Sequence, residues 1–268
     1  MKIRLRPRAR SLAAPAALCL FAAAATGCSS VFAPEPQTDA TASEGLPMVG
    51  VLVADGDHWC TASVVDSPGR NVIATAGHCV MNVTEDGTVE DLTEQDLAFA
   101  PDFQGAGKGK HPYGLWRVKG AYLDDRWKHQ ADDRADYAFL TLEPDGQGRN
   151  VQDVVGGSVP DFTSGFDREV TVYGYPDAEH NPDNQQISCR TRTSQDEQQP
   201  FMLSIKCGGF WGGTSGSPWL TDFAGPGRSG RMIAVLSGGE TDDESTAVLF
   251  DEATKKVYET AVKAGQDG

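Results

Sequence analysis

Three segments of the chain place a His, an Asp and a Ser where they can take part in acyl transfer. His78 follows a short apolar run and precedes Cys79, Asp136 comes directly before another apolar run, and Ser215 lies in a Gly-rich stretch. A hydroxyl nucleophile needs a general base within hydrogen-bond reach, and the imidazole needs a third group to orient it. The sequence therefore predicts Ser215 as nucleophile, His78 as general base and Asp136 as the orienting carboxylate.

Glycines flank Ser215 in the stretch G-G-F-W-G-G-T-S-G-S-P, residues 208–218. Glycine lets the backbone turn tightly and lets a substrate approach closely. The N–H groups of Gly213 and Ser215 can then converge on a developing oxyanion. We expect these two amides to form an oxyanion hole, although a Gly-rich loop or a strand-entry Asp taken alone is equally typical of a solvent-exposed turn.

The elements that position these residues are short runs rich in Val, Ile, Tyr, Phe and Thr, separated by turn residues, and such runs predict β-strands. They cover residues 48–54, 61–66, 71–75, 116–122, 137–142, 169–173, 186–192, 201–206, 218–220, 232–237 and 246–250. Many short strands punctuated in this way favour an antiparallel barrel or sandwich over βαβ units.

The middle and the end of the chain differ from these strands. Gly146, Gly148, Gly156 and Gly157 mark a loop-rich region where the chain can cross between two barrels, at about residues 143–168. From Asp251 to about residue 264, apolar residues recur at helical spacing, which predicts a C-terminal amphipathic helix.

The N-terminus has the pattern of an export signal: five Lys and Arg residues precede an uncharged run at residues 12–26. That run is shorter than a comfortable membrane span, so a permanent anchor helix is the weaker interpretation. Residues 25–28 (A-T-G-C) resemble a bacterial lipobox, which predicts lipid attachment at Cys28; an ordinary cleavage site nearby is the alternative. Residues 29–46 are predicted as a flexible tether or short propeptide, and residues 47–268 as the folded domain.

The charge of the chain limits its partners. Removing the five basic residues of the signal leaves 18 Lys and Arg against 38 Asp and Glu, a net charge of −20. Such a surface repels phosphate backbones, so nucleic acid is not an expected partner. We expect a monomer without cofactor or metal ion that contacts a membrane only through its N-terminal lipid.

Cysteine usage agrees with export. Besides Cys19 in the signal and Cys28, four cysteines remain: Cys60, Cys79, Cys189 and Cys207. An even number in an exported protein predicts two disulfides, with three possible pairings. A zinc site is the competing interpretation, but no C-x2-C pair is present.

Taken together and in this order, the segments resemble those of the chymotrypsin-like (trypsin-like) serine protease family. Residues 75–79 (T-A-G-H-C) match the family's T-A-A-H-C, residues 136–140 match D-I-A-L with one extra residue, and residues 213–218 (G-T-S-G-S-P) match G-D-S-G-G-P. Residues 58–60 (H-W-C) also match the family's H-F-C, where the His, here His58, is structural. The resemblance spans roughly residues 46–264.

This resemblance implies an all-β fold of two antiparallel six-stranded Greek-key barrels, packed perpendicular to each other with the triad between them. It also implies a Cys60–Cys79 bridge beneath His78, which leaves Cys189–Cys207 as the second pair. The activity that it implies is that of a secreted or surface-anchored serine endopeptidase acting on peptides or proteins through an acyl-enzyme.

Two departures from the family pattern bear on activation and specificity. Thr214 stands where digestive members carry the Asp that binds a new N-terminal amine, so we expect no such activation switch. The form of residues 213–218 is similar to that of the bacterial glutamyl endopeptidase branch, yet Leu236 precedes residues 237–239 where that branch has a His. Glu specificity is therefore not predicted, and we expect Ser237, Gly238 and Gly239 to pair with the substrate backbone.

Two other classes of function compete with the endopeptidase. A binding protein can be built on an inactive protease scaffold, although all three catalytic side-chain types are retained here. A structural surface lipoprotein with coincidental motifs is the third possibility.

Overall fold

The computed structural model describes residues 36–83, 89–105, 109–223 and 230–266. The predicted export signal and Cys28 lie outside these residues. The strands are, in chain order, β1 (Thr41–Ala42), β2 (Val49–Ala54), β3 (Asp57–Val65), β4 (Val72–Thr75), β5 (Met81–Val83), β6 (Val89–Asp91), β7 (Leu97–Pro101), β8 (Trp116–Leu123), β9 (Ala138–Leu142), β10 (Val159–Pro160), β11 (Glu169–Gly174), β12 (Ile187–Arg192), β13 (Ser194–Gln195), β14 (Met202–Lys206), β15 (Pro218–Thr221), β16 (Arg231–Thr241) and β17 (Glu244–Leu249). The α-helices are α1 (Asp125–Gln130), α2 (Val151–Val155) and α3 (Glu252–Gln266).

Six strands of the N-terminal half close into a barrel in the order β2-β3-β4-β9-β8-β7, with antiparallel neighbours throughout. All five residues of β9 are buried. Helix α3 covers the outside of this strand, where Tyr258 packs against Phe139 with ring centroids 5.4 Å apart. A strand that is covered on both faces reads as a continuous apolar run, which explains the A-F-L-T-L sequence.

The C-terminal half forms a second, curled sheet in the order β1-β12-β11-β15-β16-β17-β14-β13, with β10 added parallel to β16. The resemblance implied a second closed six-stranded barrel. Within the described residues the strand pairs do not close, so this half is an open, nine-stranded half-barrel. Its core includes Trp219, Ile233 and Leu203, which have essentially no exposed surface.

The crossover between the two halves contains α2 and β10, inside the predicted interval. Ser158 hydrogen-bonds to β3 through its own N–H, which donates to Val64 O, and through its carbonyl, which accepts from Asp66 N. The next residue, Val159, pairs with Arg231 on β16. One short segment thus joins both halves through backbone hydrogen bonds.

The described part of the segment before β2 is docked. Residues 29–46 were predicted as a flexible tether or short propeptide, and from Gln37 onward the chain is hydrogen-bonded to the second sheet, as a free tether would not be. Gln37 N–H donates to Arg190 O, and β1 pairs antiparallel with β12 at Thr41 and Ala42. Leu46 is buried in the core. The sequence did not reveal this docking because most of its contacts are backbone hydrogen bonds, which carry no residue-type signal.

Helix α3 confirms the predicted C-terminal helix, with bounds shifted by one or two residues. Its Ala261 is fully buried and Tyr258 donates a 2.6 Å hydrogen bond to Asp66 O. None of the helices in the described residues has the length and apolar character needed to cross a membrane.

Gly50 provides a test of the barrel. A Cβ atom at this position would lie 2.1 Å from the carbonyl oxygen of Ala100 on β7. We expect Gly50→Ala to force β2 and β7 apart and to lower the free energy of unfolding by about 2–3 kcal/mol, the usual cost of overpacking a core. Gly146→Ala is the matched control, because a Cβ there meets no atom within 4 Å. Urea denaturation followed by Trp fluorescence compares the variants, and equal midpoints would contradict the strand pairing.

Candidate active site

His78 and Asp136 form a pair at one end of the barrel. β4 ends at Thr75 and leads through Ala76 and Gly77 to His78. Nδ1 of His78 lies 2.9 Å from Oδ2 and 3.1 Å from Oδ1 of Asp136, and the His78 backbone N–H donates to Oδ1 at 2.8 Å. Because an ionised carboxylate only accepts hydrogen bonds, Nδ1 must carry the proton. Nε2 is then free to accept a proton in the neutral ring.

Gly77 leaves room beside this pair for little more than a hydrogen atom. A Cβ atom on Gly77 would lie 3.1 Å from Asp136 Oδ1 and 3.1 Å from the indole of Trp127. Trp127 is the buried residue of α1, and its Nε1–H donates to Met81 O at 2.8 Å. The indole therefore closes one side of the His78 loop and excludes water from the carboxylate.

Burial and the neighbouring charge shift the pKa of His78, and likewise that of Asp136, in opposite directions. Burial alone raises the pKa of Asp136, but the positive charge of a protonated His78 and the hydrogen bonds from His78 and Ser237 outweigh it, so the pKa lies below its ordinary value. Burial likewise lowers the pKa of His78, but the charge of Asp136 and the hydrogen bond to it prevail and the pKa lies above its ordinary value. The site thus maintains an ionised Asp136 beside a basic imidazole at neutral pH.

The Ser237 side chain makes a contact that is separate from the backbone pairing expected of residues 237–239. Its hydroxyl donates a hydrogen bond to Asp136 Oδ2, so this side chain faces the carboxylate and leaves only its backbone for a substrate. Gly238 and Gly239 follow it and are exposed. Beyond Leu236, the edge of β16 opposite β17 has no paired strand within the described residues. The sequence offered no signal for the Ser237–Asp136 contact, which joins residues 101 positions apart.

Both disulfides implied by the resemblance are present, Cys60–Cys79 and Cys189–Cys207. The first bridge ties β3 to the residue that follows His78. Because all four thiols are oxidised in these bridges, the competing interpretation of a cysteine-ligated zinc site does not apply to them.

The loop that carries Ser215 lies at the seam between the two halves. Ser215 O accepts a hydrogen bond from Thr61 N–H of β3 at 2.8 Å, and Gly216 N–H donates to Leu236 O of β16 at 2.7 Å. A Cβ on Gly216 would lie 2.2 Å from Thr61 O and 3.0 Å from Ala76 N. Ser215 is therefore brought next to the chain that leads into His78. Among the hydrogen bonds of the described residues, none joins the Ser215 hydroxyl to the His78 ring.

The carbonyl groups that precede Ser215 are hydrogen-bonded. Gly212 O accepts from Asp177 N–H at 2.6 Å, Gly213 O from the Thr61 hydroxyl at 3.0 Å, and Thr214 O from Ser217 N–H at 3.0 Å. A trans peptide points its N–H opposite to its C=O, so the bonds to Gly212 O and Thr214 O turn the N–H groups of Gly213 and Ser215 away from Asp177 and Ser217. In the described part of the chain, these two N–H groups have no acceptor.

Thr61 is the residue of this region that the sequence did not single out. It has no exposed surface, and its hydroxyl donates to Gly213 O while accepting from Tyr175 N–H at 3.0 Å. Its carbonyl accepts from the Thr75 hydroxyl at 2.8 Å. One threonine of the first barrel thus connects to the Ser215 loop, to the second sheet and to the strand before His78.

His58 packs against the Ser215 loop. Its Nδ1 lies 3.1 Å from Asn184 Oδ1, and burial lowers its pKa. A Cβ on Gly213 would lie 3.1 Å from the His58 ring. The His58 imidazole therefore lies directly beside Gly213 of the Ser215 loop.

The closed barrel, the curled second sheet and the terminal helix are the chymotrypsin-like fold, and proteins of similar structure are serine proteases. A protease, Anisep, from Arthrobacter nicotinovorans is 23% identical with a TM-score of 0.71, and the match covers 84% of this chain and 99% of that one. A thermostable serine protease, AL20, from an extremophilic microorganism is 28% identical with a TM-score of 0.68, covering 81% and 98%.

A Glu endopeptidase, in a complex with MPD, is 14% identical with a TM-score of 0.67, and the match covers 86% of this chain and 98% of that one. No family model matches the chain, and a search of curated proteins found no match. The recognised resemblance is confirmed for the fold, and the neighbours support a protease function.

The His78–Asp136 pair predicts a titration shift. We expect His78 to titrate above about 6.5, the ordinary value for His, in the native protein and below it in Asp136→Asn, because the substitution removes the charge and leaves the burial. NMR of selectively labelled His Cε1 measures this, with His78→Gln assigning the resonance. Asp153→Asn is the control, since Asp153 pairs with Arg70 on the surface. A His78 pKa that stays elevated in Asp136→Asn would rule out Asp136 as its cause.

Proposed function

We propose that this protein is a serine endopeptidase that hydrolyses peptide bonds through Ser215, His78 and Asp136. The observation that carries the proposal is the pair of peptide groups on either side of Thr214: the N–H groups of Gly213 and Ser215 have no acceptor in the described residues, whereas the N–H of Thr214 between them donates to Trp211 O. Two oriented, unpaired donors beside a hydroxyl are what a tetrahedral oxyanion requires. The buried His78–Asp136 pair at the same seam supplies the base.

In the proposed reaction, Ser215 Oγ attacks the carbonyl carbon of the substrate while Nε2 of His78 takes the hydroxyl proton. The carbonyl oxygen becomes an oxyanion that accepts hydrogen bonds from the amides of Gly213 and Ser215. His78 then gives its proton to the leaving amine, and the C–N bond breaks to leave an ester on Ser215. Water repeats the sequence with the same base and releases the acid. Asp136 holds Nδ1–H throughout and offsets the charge of the imidazolium.

The substrate of this reaction is an extended peptide. The edge of β16 at residues 237–239 supports this, because its backbone is exposed there and can add an antiparallel strand. Leu236 is buried, with its N–H donating to Ser217 O, so it offers no polar group to an acidic side chain. Leu236 therefore cannot favour substrates with a Glu side chain.

The proposed enzyme does not need an N-terminal amine to assemble its nucleophile loop. The Thr214 side chain is buried, and its hydroxyl donates to Trp211 O at 2.6 Å within the same loop. An Asp at this position would require a buried cation, whereas Thr214 is satisfied locally.

Replacing the nucleophile tests the proposed activity. We expect Ser215→Ala to lower kcat by about 10^6, the effect of removing the nucleophile in a Ser-His-Asp enzyme, without a change in thermal unfolding. Ser194→Ala, an exposed serine on β13, keeps full activity as the control. Hydrolysis of a peptide library and labelling by a fluorophosphonate are measured in parallel. A native protein that neither cleaves nor reacts, yet binds peptides, would instead support the inactive binding scaffold.

We further propose that the chain is exported and anchored outside the cell through a lipid on Cys28. Two disulfides support an oxidising compartment. Expressed in a bacterium with labelled palmitate, the native chain should carry the label in the membrane fraction, and Cys28→Ala should be released without it. Cys19→Ala is the control, because Cys19 lies within the predicted signal and is removed with it. Equal labelling of Cys28→Ala and native protein would exclude this anchor.

A further inference from the structure

The chain before β2 docks against the strand that leads into the Ser215 loop. Thr38 O accepts from Gly208 N–H at 2.9 Å, and Gly208 O accepts from Ala40 N–H at 2.9 Å. Residues 37–42, here named the N-terminal segment, thus hold both backbone groups of Gly208, in a parallel bridge centred on Asp39. Six residues lie between Gly208 and Ser215 along the chain.

Gly208 is also where other supports of the loop meet. A Cβ atom there would lie 3.0 Å from Asp39 Oδ1 of the N-terminal segment and 3.2 Å from Asp243 Oδ1 of the β16–β17 turn. The preceding residue, Cys207, is bridged to Cys189 on β12, the strand with which β1 pairs. A displacement of the N-terminal segment therefore frees the one side of Gly208 that the disulfide does not hold.

The N-terminal segment is attached mainly by backbone hydrogen bonds, and its side chains add two contacts: Gln37 Oε1 accepts from Arg190 N–H at 2.7 Å, and the half-buried Ala40 packs against the core of the second sheet. Thr38, Asp39, Thr41 and Ala42 are exposed, and β1 contains two residues. Little apolar surface leaves water when the segment docks, so its detachment costs the rest of the fold little. The segment is also continuous with the predicted signal and tether, where processing takes place.

We propose that the N-terminal segment is a detachable positioning element for the Ser215 loop, so that proteolytic removal of residues 37–42 lowers turnover while the folded domain survives. This inference rests on the proposed endopeptidase function. Its physical basis is that the Gly213 and Ser215 amides must be held to a fraction of an ångström, and a shift of about 1 Å can cost about 10²-fold in rate.

The test uses the full chain with an inserted site for an unrelated, specific protease. In one version the site follows Ser43, and in the control it precedes Pro36; both are folded first, then cut and gel-filtered. Cutting after Ser43 should lower kcat by about 10–100-fold with little change in KM, and cutting before Pro36 should leave kcat unchanged. A synthetic peptide of residues 36–43 should restore the rate by re-adding the strand, whereas a scrambled peptide should not.

Point variants provide a second route that involves no cleavage. Ala40→Pro removes the N–H that Gly208 O accepts, whereas Ser43→Pro removes an N–H that donates to Gln186 O and does not touch Gly208. Ala40→Pro should lower kcat and speed hydrogen exchange at residues 208–215, and Ser43→Pro should do neither.

The outcomes separate the two proposals. A cut chain without residues 36–43 that keeps full kcat and unchanged exchange at residues 208–215 would overturn the positioning role. If the uncut chain has no activity and no fluorophosphonate labelling, the proposed function fails. Faster exchange on cutting would then still establish that the segment fixes the loop, and unchanged exchange would refute it.

Discussion

The hydrogen bonds of Thr61 connect the parts of this molecule that the site requires. Its N–H binds Ser215 O, its hydroxyl bridges Gly213 O and Tyr175 N–H, and its carbonyl accepts from Thr75. Thr61, Thr75 and Tyr175 are buried at the seam, where an unpaired polar atom is costly. The side chain and the backbone of Thr61 therefore fix the position of the Ser215 loop relative to the first barrel.

A second constraint is the buried carboxylate of Asp136. It is 3% exposed, and a charge in such a place persists only with donors around it. His78 supplies its ring and its backbone N–H, and Ser237 supplies a hydroxyl from the other half of the molecule. These donors bring three strands together at Asp136. His78 follows β4, Asp136 precedes β9, and Ser237 lies in β16.

The sequence predicted much of this arrangement where residue types carry the signal. Eleven runs rich in β-formers became strands, and the order of His78, Asp136 and Ser215 indicated the fold. The barrel strand β7 was missed because its sequence, L-A-F-A-P, contains two alanines and a proline, which have low β-propensity. Thr61 and Ser237 were not recognised as partners of the site, since their contacts join segments 152 and 101 residues apart and leave no local pattern.

Hydrogen bonds of the backbone also explain why the Ser215 loop is assembled without a charged side chain at position 214. Its carbonyls are bound from three unrelated places: Thr61 in the first barrel, Asp177 in the loop after β11, and Ser217 within the turn itself. Each bound carbonyl turns the N–H of its own peptide the other way. The bonds to Gly212 O and Thr214 O thereby leave the N–H groups of Gly213 and Ser215 unpaired in the described residues, and in the proposed reaction these two donors need no reorganisation to bind an oxyanion. The positions of these donors depend on the rigidity of the chain that enters the loop at Gly208. The outermost contact of Gly208 is with the backbone of residues 37–42, which binds both its N–H and its carbonyl.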